Sequence, residues 1–304
     1  MMRSMFAAVS SLRNHQTRMD VVANNIANVN TVAFKSSRAT FQDVFYQTLS
    51  GGSAPDDNRG GINPRQVGVG MSLNSIDTMF VQGNVEPTDN ITDLMIQGDG
   101  FFILKDNKGD GATGGGTGGD NDYFYTRAGV FGFDADGNLI NKSDGKFVMG
   151  YTIGEDEYND DLEPLTWDIM TGEGGLSISD LNTLTINSNG EIIADGDPIA
   201  VIALAKFPNN EGLDKMGENQ FTWASAAGGE DENGGVDIGK FGTAGDGDKG
   251  FGNTVIVPGA IEMSNVELAK EFTDMIITQR GYQANARTIS TSDEMLQELV
   301  NLKR

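Results

Sequence analysis

The sequence predicts an α+β protein. Long N- and C-terminal helices form a coiled-coil-like domain, and a mainly antiparallel, partly barrel-like β domain is inserted between them. Glycine is absent from residues 1–50 and occurs only at Gly281 between 262 and 304, and the other 40 of the 41 glycines lie within Gly51–Gly259. All seven prolines lie within Pro55–Pro258. Helix interiors tolerate these two residue types least. Between the ends, short apolar stretches alternate with turns rather than with amphipathic helices, which favours an antiparallel sheet.

The N-terminal helix is predicted from about Ser4 to Val29. Its apolar positions alternate in steps of four and three, which is the spacing of a heptad seam, with Gln16 as a polar interruption. We expect this seam to pack against another helix through Met5, Val9, Leu12, Met19 and Ile26.

The C-terminal helix is predicted to begin at a capping box, Ser264 with Glu267. It carries the same four–three spacing, interrupted at Gln279 and Asp293, and Thr291 with Glu294 marks a possible second start. Its predicted packing residues are Leu268, Phe272, Met275, Tyr282, Ile289, Leu296 and Val300. Two arrangements are open: a helical hairpin docked on its own β domain, or helices that complete their burial against other subunits, which we favour.

The chain divides into three parts on this basis. Residues 1–30 and 264–304 form a terminal helical polymerisation domain, 31–70 a connecting segment, and 71–263 a β-rich outer domain. Within the connecting segment, 51–70 has the composition of a loop.

The charge of the chain restricts its partners. The net charge is −23, and the middle of the chain carries this excess, so we expect a solvated acidic outer surface and no binding to nucleic acid. There is no long apolar run for a membrane span. The N-terminal residues lack the apolar core and cleavage site of a secretory signal, so no cleaved signal peptide is expected.

No residue pattern favours catalysis. There is no cysteine, and the single histidine, His15, is expected on a polar or interface position of the first helix. Asp134-Ala-Asp-Gly137 begins like a calcium loop but lacks its later ligands, so we interpret it as a hairpin turn. We therefore expect no enzyme activity, no cofactor and no metal site, and an extracellular calcium-binding module stays an alternative of another class.

An asparagine cluster gives the strongest family signal. Asn24-Asn25-Ile-Ala-Asn28 is expected to cap the end of the first helix. With Phe34-Lys35 it resembles the N-terminal signature of the bacterial flagellar rod and hook family, although Ala33 replaces the glycine common there. Further similar segments are Ile96–Phe102, Tyr125–Gly129, Ser264–Val266, Glu271–Met275, Gln279–Arg287 and Asp293–Leu299. The signature residues taken from this resemblance are Asn24, Asn25, Asn28, Phe34, Lys35, Gln279, Arg280, Asn285 and Asp293.

The resemblance fades in a variable region of about 155–250, where a separate small domain at 155–200 is an open question. Within the family the chain is most similar to hook subunits, with the distal rod subunit as the alternative. The resemblance implies a homopolymer whose terminal helices line an export channel. It also implies rod and hook–filament junction proteins, a hook cap, a length-control protein and the flagellar type III export apparatus as partners, and a place in the extracellular flagellum.

Overall fold

Two long helices form the ends of the chain, as expected from the distribution of glycine and proline. α1 spans Met2–Ala27 and α2 spans Leu268–Leu302, with 26 and 35 residues. The structure is a computed structural model that describes residues 2–55, 60–106, 123–134, 137–152, 162–166, 184–194, 197–228, 238–239 and 253–302. The chain separates into two compact units. The first contains Met1–Val29, Lys35–Met79 and Val266–Arg304, and the second contains Asn30–Phe34 and Phe80–Asn265.

The first unit combines the helices with a long antiparallel ribbon. Its strands are β1 Ser37–Asp43, β2 Tyr46–Ser50, β3 Arg65–Gly68 and β4 Met71–Thr78. β1 pairs with β4 across a bulge at Thr40/Phe41, and β2 pairs with β3. A further bridge joins Ser53 to Ile62, so the ribbon extends into the segment that the sequence predicted as a loop. That part of the prediction was wrong.

α1 lies against the base of this ribbon through specific contacts. The Asn14 side chain donates a hydrogen bond to the Met71 carbonyl at 2.8 Å. Gly70 has a φ of +142°, and a Cβ there would lie 2.5 Å from the Ser10 hydroxyl. Only glycine suits that backbone conformation and that close approach.

The second unit is a set of antiparallel strands. They are β5 Val85–Pro87, β6 Leu94–Gln97, β7 Phe101–Lys105, β8 Tyr123–Thr126, β9 Phe131–Phe133, β10 Leu139–Asn141, β11 Phe147–Thr152, β12 Glu163–Pro164, β13 Thr185–Ile186, β14 Glu191–Ala194, β15 Asp197–Ile202, β16 Leu204–Ala205, β17 Asp214–Gly217, β18 Gln220–Thr222, β19 Ile238–Gly239, β20 Val255–Pro258 and β21 Ala260–Glu262. The main path runs β13-β14-β15-β11-β7-β8-β18-β17, and β20–β6 and β21–β5 form two small sheets.

β7 occupies the centre of this sheet, and its alternate side chains enter two apolar clusters. Phe102 and Leu104 lie in one cluster, whereas Phe101 and Ile103 lie in the other. Because successive residues of a strand point to opposite faces, burial on both faces explains the unbroken apolar run of this strand. The Phe101 ring lies 5.6 Å from that of Phe80 and 5.8 Å from that of Phe207, between ring centroids.

The α+β class and the mostly antiparallel sheet are confirmed, but two details differ. Among the described strands the sheet is open, since its end strands β13 and β17 each pair with one neighbour, and no closed barrel forms. α2 begins at Leu268 rather than after Ser264: the Glu271 amide donates to the Glu267 carbonyl at 3.0 Å in its first turn, while the Asn265 amide donates to the Phe34 carbonyl at 3.3 Å. α2 then continues unbroken past Thr291. Coiled-coil packing of the helices stays a prediction.

The Asp134 loop is a hairpin turn in its described residues. The Gly137 amide donates to the Asp134 carbonyl at 2.9 Å, and the Asp134 amide donates to the Asn138 carbonyl at 3.0 Å. Gly137 has a φ of +79°. The hairpin interpretation is confirmed, with residues 135–136 outside the described part, as is most of 155–200.

Candidate assembly surfaces

α2 has an unusual distribution of side chains, because it buries polar residues and exposes apolar ones. Its buried residues are Glu271, Thr278 and Ser292. Two of these hydroxyls are satisfied inside the helix, since Thr278 donates to the Asp274 carbonyl and Ser292 to the Thr288 carbonyl, both at 2.7 Å. The exposed apolar residues are Leu268, Phe272, Ile276, Ile277, Tyr282, Met295, Leu299, Val300 and Leu302. This number of exposed apolar side chains along one helix is typical of an interaction site.

The predicted packing residues divide into two groups in the first unit. Half-buried positions are Met5, Leu12, Met19, Ile26, Met275, Ile289 and Leu296. Exposed positions are Val9, Leu268, Phe272, Tyr282 and Val300, and Phe272 retains 50% of its accessible surface. Their role in polymerisation stays a prediction.

The two helices run antiparallel and meet at a glycine. Arg18 forms an ion pair with Asp274 at 2.9 Å. Nearer the start of α1, a Cβ on Gly281 would lie 2.9 Å from Nε2 of His15. The missing side chain of Gly281 therefore leaves room for the imidazole of His15 between the helices.

The asparagine signature has two separate structural roles. Asn28 caps α1, because its side-chain amide donates to the Asn24 carbonyl at 2.9 Å. Asn25 is buried and pairs with the backbone of Ser37 in both directions: its Nδ2 donates to the carbonyl at 2.8 Å and its Oδ1 accepts from the amide at 3.0 Å. The side-chain amide of Asn25 thus makes the two hydrogen bonds that the backbone of a neighbouring strand would make at the start of β1. The expected capping role is confirmed at Asn28.

The residues after this cluster are held in the second unit. Ala33 has a φ of +56°, which explains why glycine suits this position, and its amide donates to the Glu262 carbonyl at 2.7 Å. The Asn219 side chain donates to the Val32 carbonyl at 2.7 Å, and Lys215 lies 5.7 Å from the centre of the Phe34 ring. Burial lowers the pKa of Lys215.

The C-terminal signature residues are mostly exposed on α2. Arg280 donates to Gln283 at 3.3 Å, and Asp293 accepts from Gln297 at 3.2 Å, both within the helix. Gln279 is exposed and Asn285 is half-buried. Lys35, which belongs to the N-terminal signature, is buried in the first unit.

The β2–β3 ribbon exposes a second apolar surface. Every residue of both strands is exposed, and the apolar side chains of the ribbon and its flanks are Val44, Phe45, Tyr46, Leu49, Ile62, Val67 and Val69. Phe45 retains 83% of its accessible surface. An isolated two-stranded ribbon is marginally stable in water. We therefore expect another protein surface to cover the ribbon and stabilise it.

The second unit contains a buried ion pair between Arg127 and Glu262, with an N–O distance of 3.7 Å. Arg127 also donates to the carbonyls of Gly100 at 3.0 Å and Gly98 at 2.5 Å, while Glu262 accepts from the Gly83 amide at 2.8 Å. Burial lowers the pKa of Arg127, and the neighbouring Glu262 carboxylate opposes that change. This network fixes the Gly98–Gly100 turn against the small β21–β5 sheet.

Two further findings concern metal ions and membranes. The described part of the chain holds no group of three or more His, Cys, Asp or Glu side chains arranged for a metal ion. None of the helices in that part combines the length and the apolar character needed to cross a membrane.

Known proteins similar to this chain identify its family. The chain matches family models described as "Flagella basal body rod protein" over residues 5–35, "Flagellar hook protein FlgE/F/G D1 domain" over 95–194, and "Flagellar basal body rod FlgEFG protein C-terminal" over 257–302. It is 40% identical to the flagellar basal-body rod protein FlgG of Bacillus subtilis, with all of both chains covered. The chain belongs to the flagellar rod and hook protein family.

Two relatives from one organism have different names. The flagellar rod and hook protein described here is 32% identical to the flagellar hook protein FlgE of Borreliella burgdorferi. It is 33% identical to the flagellar basal-body rod protein FlgG of the same bacterium, and both alignments cover all of each chain.

The matched segments correspond to the structural parts. The first covers α1 from Met5 and the asparagine cluster, the last covers the end of β20 with β21 and α2, and the middle one covers much of the sheet. The protein is therefore a structural component of the bacterial flagellum, the organelle of motility.

Proposed function

We propose that the chain is the self-assembling subunit of the flagellar hook, the flexible joint between the rod and the filament. In this proposal α1 and α2 of many copies pack as coiled coils into an inner tube. The predicted packing residues form the contacts between copies. The acidic β unit lies outside, where weak repulsion between neighbours lets them slide as the hook turns.

The observation that carries the proposal is the exposed apolar surface of α2. A helix that buries Thr278 and Ser292 while exposing Phe272 and Val300 has its apolar residues placed for contacts outside its own chain. Fully burying one side chain of this kind contributes about 1.5–3 kcal/mol. The same contact repeats at every subunit, so its free energy contributes at every subunit of a polymer.

The two relatives from Borreliella burgdorferi match the chain almost equally well. The hook protein is 32% identical and the rod protein 33%, and both alignments cover all of each chain. These two relatives therefore support a hook subunit and a rod subunit alike, and the preference for a hook subunit stays a prediction from the sequence.

The second candidate is the distal rod subunit. The 40% identity to the Bacillus subtilis rod protein extends over 304 aligned positions and covers both chains completely. That relative supports a straight shaft rather than a flexible joint.

We propose the same partners for either subunit type. They are rod and hook–filament junction proteins, the hook cap, the length-control protein and the export apparatus. Export without a cleaved signal peptide is part of the proposal and is supported by the polar character of residues 10–20.

Electron microscopy of the purified polymer distinguishes the two candidates. The full-length chain is expected to form tubes in concentrated ammonium sulfate, a salt that strengthens apolar burial. Curved tubes in negative stain would support the hook, and straight tubes would support the distal rod. A protein with intact circular dichroism that forms no tubes under any salt condition would contradict both.

A further inference from the structure

His15 is the single histidine of the chain, and it lies against Gly281 where α1 and α2 are in contact. Its Nε2 is 2.9 Å from the point where a Cβ of Gly281 would stand, and Gly281 is the single glycine of α2. The ring also contacts Phe41 of β1 in an edge-on arrangement, with centroids 6.2 Å apart. The half-buried imidazole therefore packs against a helix backbone and an aromatic ring.

This environment suits the neutral imidazole and not the charged one. Nδ1 of His15 is buried and has no hydrogen-bond partner in the described part of the chain. A protonated ring carries N–H donors on both nitrogens, so protonation would add a buried donor without an acceptor.

The charged groups around His15 do not compensate the cost of protonating its ring. Arg18 lies nearly one turn further along α1, and its partner on α2, Asp274, is already engaged with it at 2.9 Å. On α2, Arg280 adjoins Gly281. On the ribbon, β1 carries Arg38 and Asp43 and β4 carries Asp77, and Arg38 and Asp77 pair with each other at 3.6 Å.

We propose that His15 is a pH-sensitive latch between α1 and α2, which holds the helix pair when the ring is neutral and loosens it when the ring takes up a proton. The latch is a property of the first unit itself, so it does not depend on whether the chain builds a hook or a rod. In a polymer it would make assembly sensitive to mild acid.

The direction of the pH effect follows from the protonation equilibrium. Burial, and to a smaller extent Arg18, lower the pKa of His15 below its ordinary value of 6.5. The unfolded chain then binds the proton more readily than the folded one. The contribution of His15 to stability is complete above about pH 6.5 and is lost as the pH falls below it. Ordinary carboxylates titrate near pH 4, so their effect is separable.

A direct test is an NMR titration of the imidazole in the full-length chain, where one histidine gives one set of ring signals. We expect a pKa clearly below 6.5. A value of 6.5 or above would overturn the proposal.

A second test compares thermal unfolding of the wild type with that of His15→Gln, which keeps a polar side chain but does not titrate. Circular dichroism at 222 nm follows α1 and α2. Between pH 7.5 and 5.5 the wild-type helical transition should fall further than that of the variant, and each 1 kcal/mol of stability lost corresponds to roughly 2–8 °C. Equal shifts in both proteins would overturn the latch, and His15→Asn serves in the same way if His15→Gln does not fold.

Discussion

Replacing Glu262 with glutamine should strongly destabilise the second unit. Glu262 is fully buried, and its partner Arg127 retains 3% of its side-chain surface. Glutamine has the same shape and keeps an oxygen for the Gly83 amide, so the change removes a charge and little else. Arg127 would remain charged and buried, with the carbonyls of Gly98 and Gly100 and the charge of the Asp99 carboxylate as its remaining partners.

The size of the effect follows from this burial. Removing one partner of a buried ion pair costs about 3–5 kcal/mol, because the other charge is left uncompensated. A domain is stabilised by about 5–15 kcal/mol in total, so Glu262→Gln is expected to remove a large share of it. In the double variant Arg127→Met with Glu262→Met no buried charge is left unpaired, so its loss should be smaller than the sum of the two single losses.

Urea unfolding followed by tryptophan fluorescence measures this loss. Both tryptophans of the chain lie between residues 80 and 265, so the signal reports the second unit. Lys142→Gln is the matched control: it removes an ion pair with Asp93 of the same 3.7 Å length, but Lys142 is 46% exposed. We expect that control to cost about 1 kcal/mol or less. Equal losses for Glu262→Gln and Lys142→Gln would refute the reasoning.

Two further predictions concern the first unit, and thermal unfolding by circular dichroism checks both. Gly70→Ala should cost about 1–3 kcal/mol, because the new Cβ meets the Ser10 hydroxyl and the φ of +142° is strained for alanine. Gly68→Ala, whose nearest contact would be at 3.5 Å, should be nearly neutral, and similar losses would contradict the account. Asn25→Ala should cost about 1–3 kcal/mol, since the half-buried backbone amide and carbonyl of Ser37 lose their partner. The neighbouring exposed Asn24→Ala should cost well under half of that, and the reverse order would contradict the role assigned to Asn25.

The sequence predicted the helices well because their cause is local. A long segment without glycine or proline and with apolar residues in steps of three and four forms a helix in most environments. The start of α2 was misplaced because Ser264 and Glu267 fit a capping box, whereas the first turn of the helix is closed by the Glu271 amide and the Glu267 carbonyl. The Asn265 amide lies instead against the Phe34 carbonyl, 231 positions away in sequence, and no local pattern contains that contact.

The ribbon was the largest omission in the fold. β2 and β3 are exposed on both faces, so they lack the alternation of apolar and polar residues that identifies a half-buried strand. The glycines and prolines of residues 51–70, most of which lie between the two strands, favoured a loop. A strand whose covering surface is not part of its own chain gives little signal in that chain.

The candidate site was predicted in part. The spacing of apolar residues identified the helices as packing elements, but spacing cannot tell which side faces the helix partner and which faces outward. Phe272 and Tyr282 were assigned to one seam with Met275 and Ile289, although the first two are exposed and the other two half-buried. The sequence showed Gly281 as an isolated glycine in a helix. Only the structure shows that its missing side chain leaves room for His15.

The most direct test of the central claim is the critical concentration for polymerisation, measured by sedimentation, of Phe272→Asp and Thr273→Asp. The two variants add the same charge at adjacent exposed positions of α2, but only the first lies on the exposed apolar surface. If that surface is the contact between copies, Phe272→Asp should raise the critical concentration at least tenfold, about 1.4 kcal/mol per contact, while Thr273→Asp changes it by less than about threefold. Equal critical concentrations for both variants would contradict the claim.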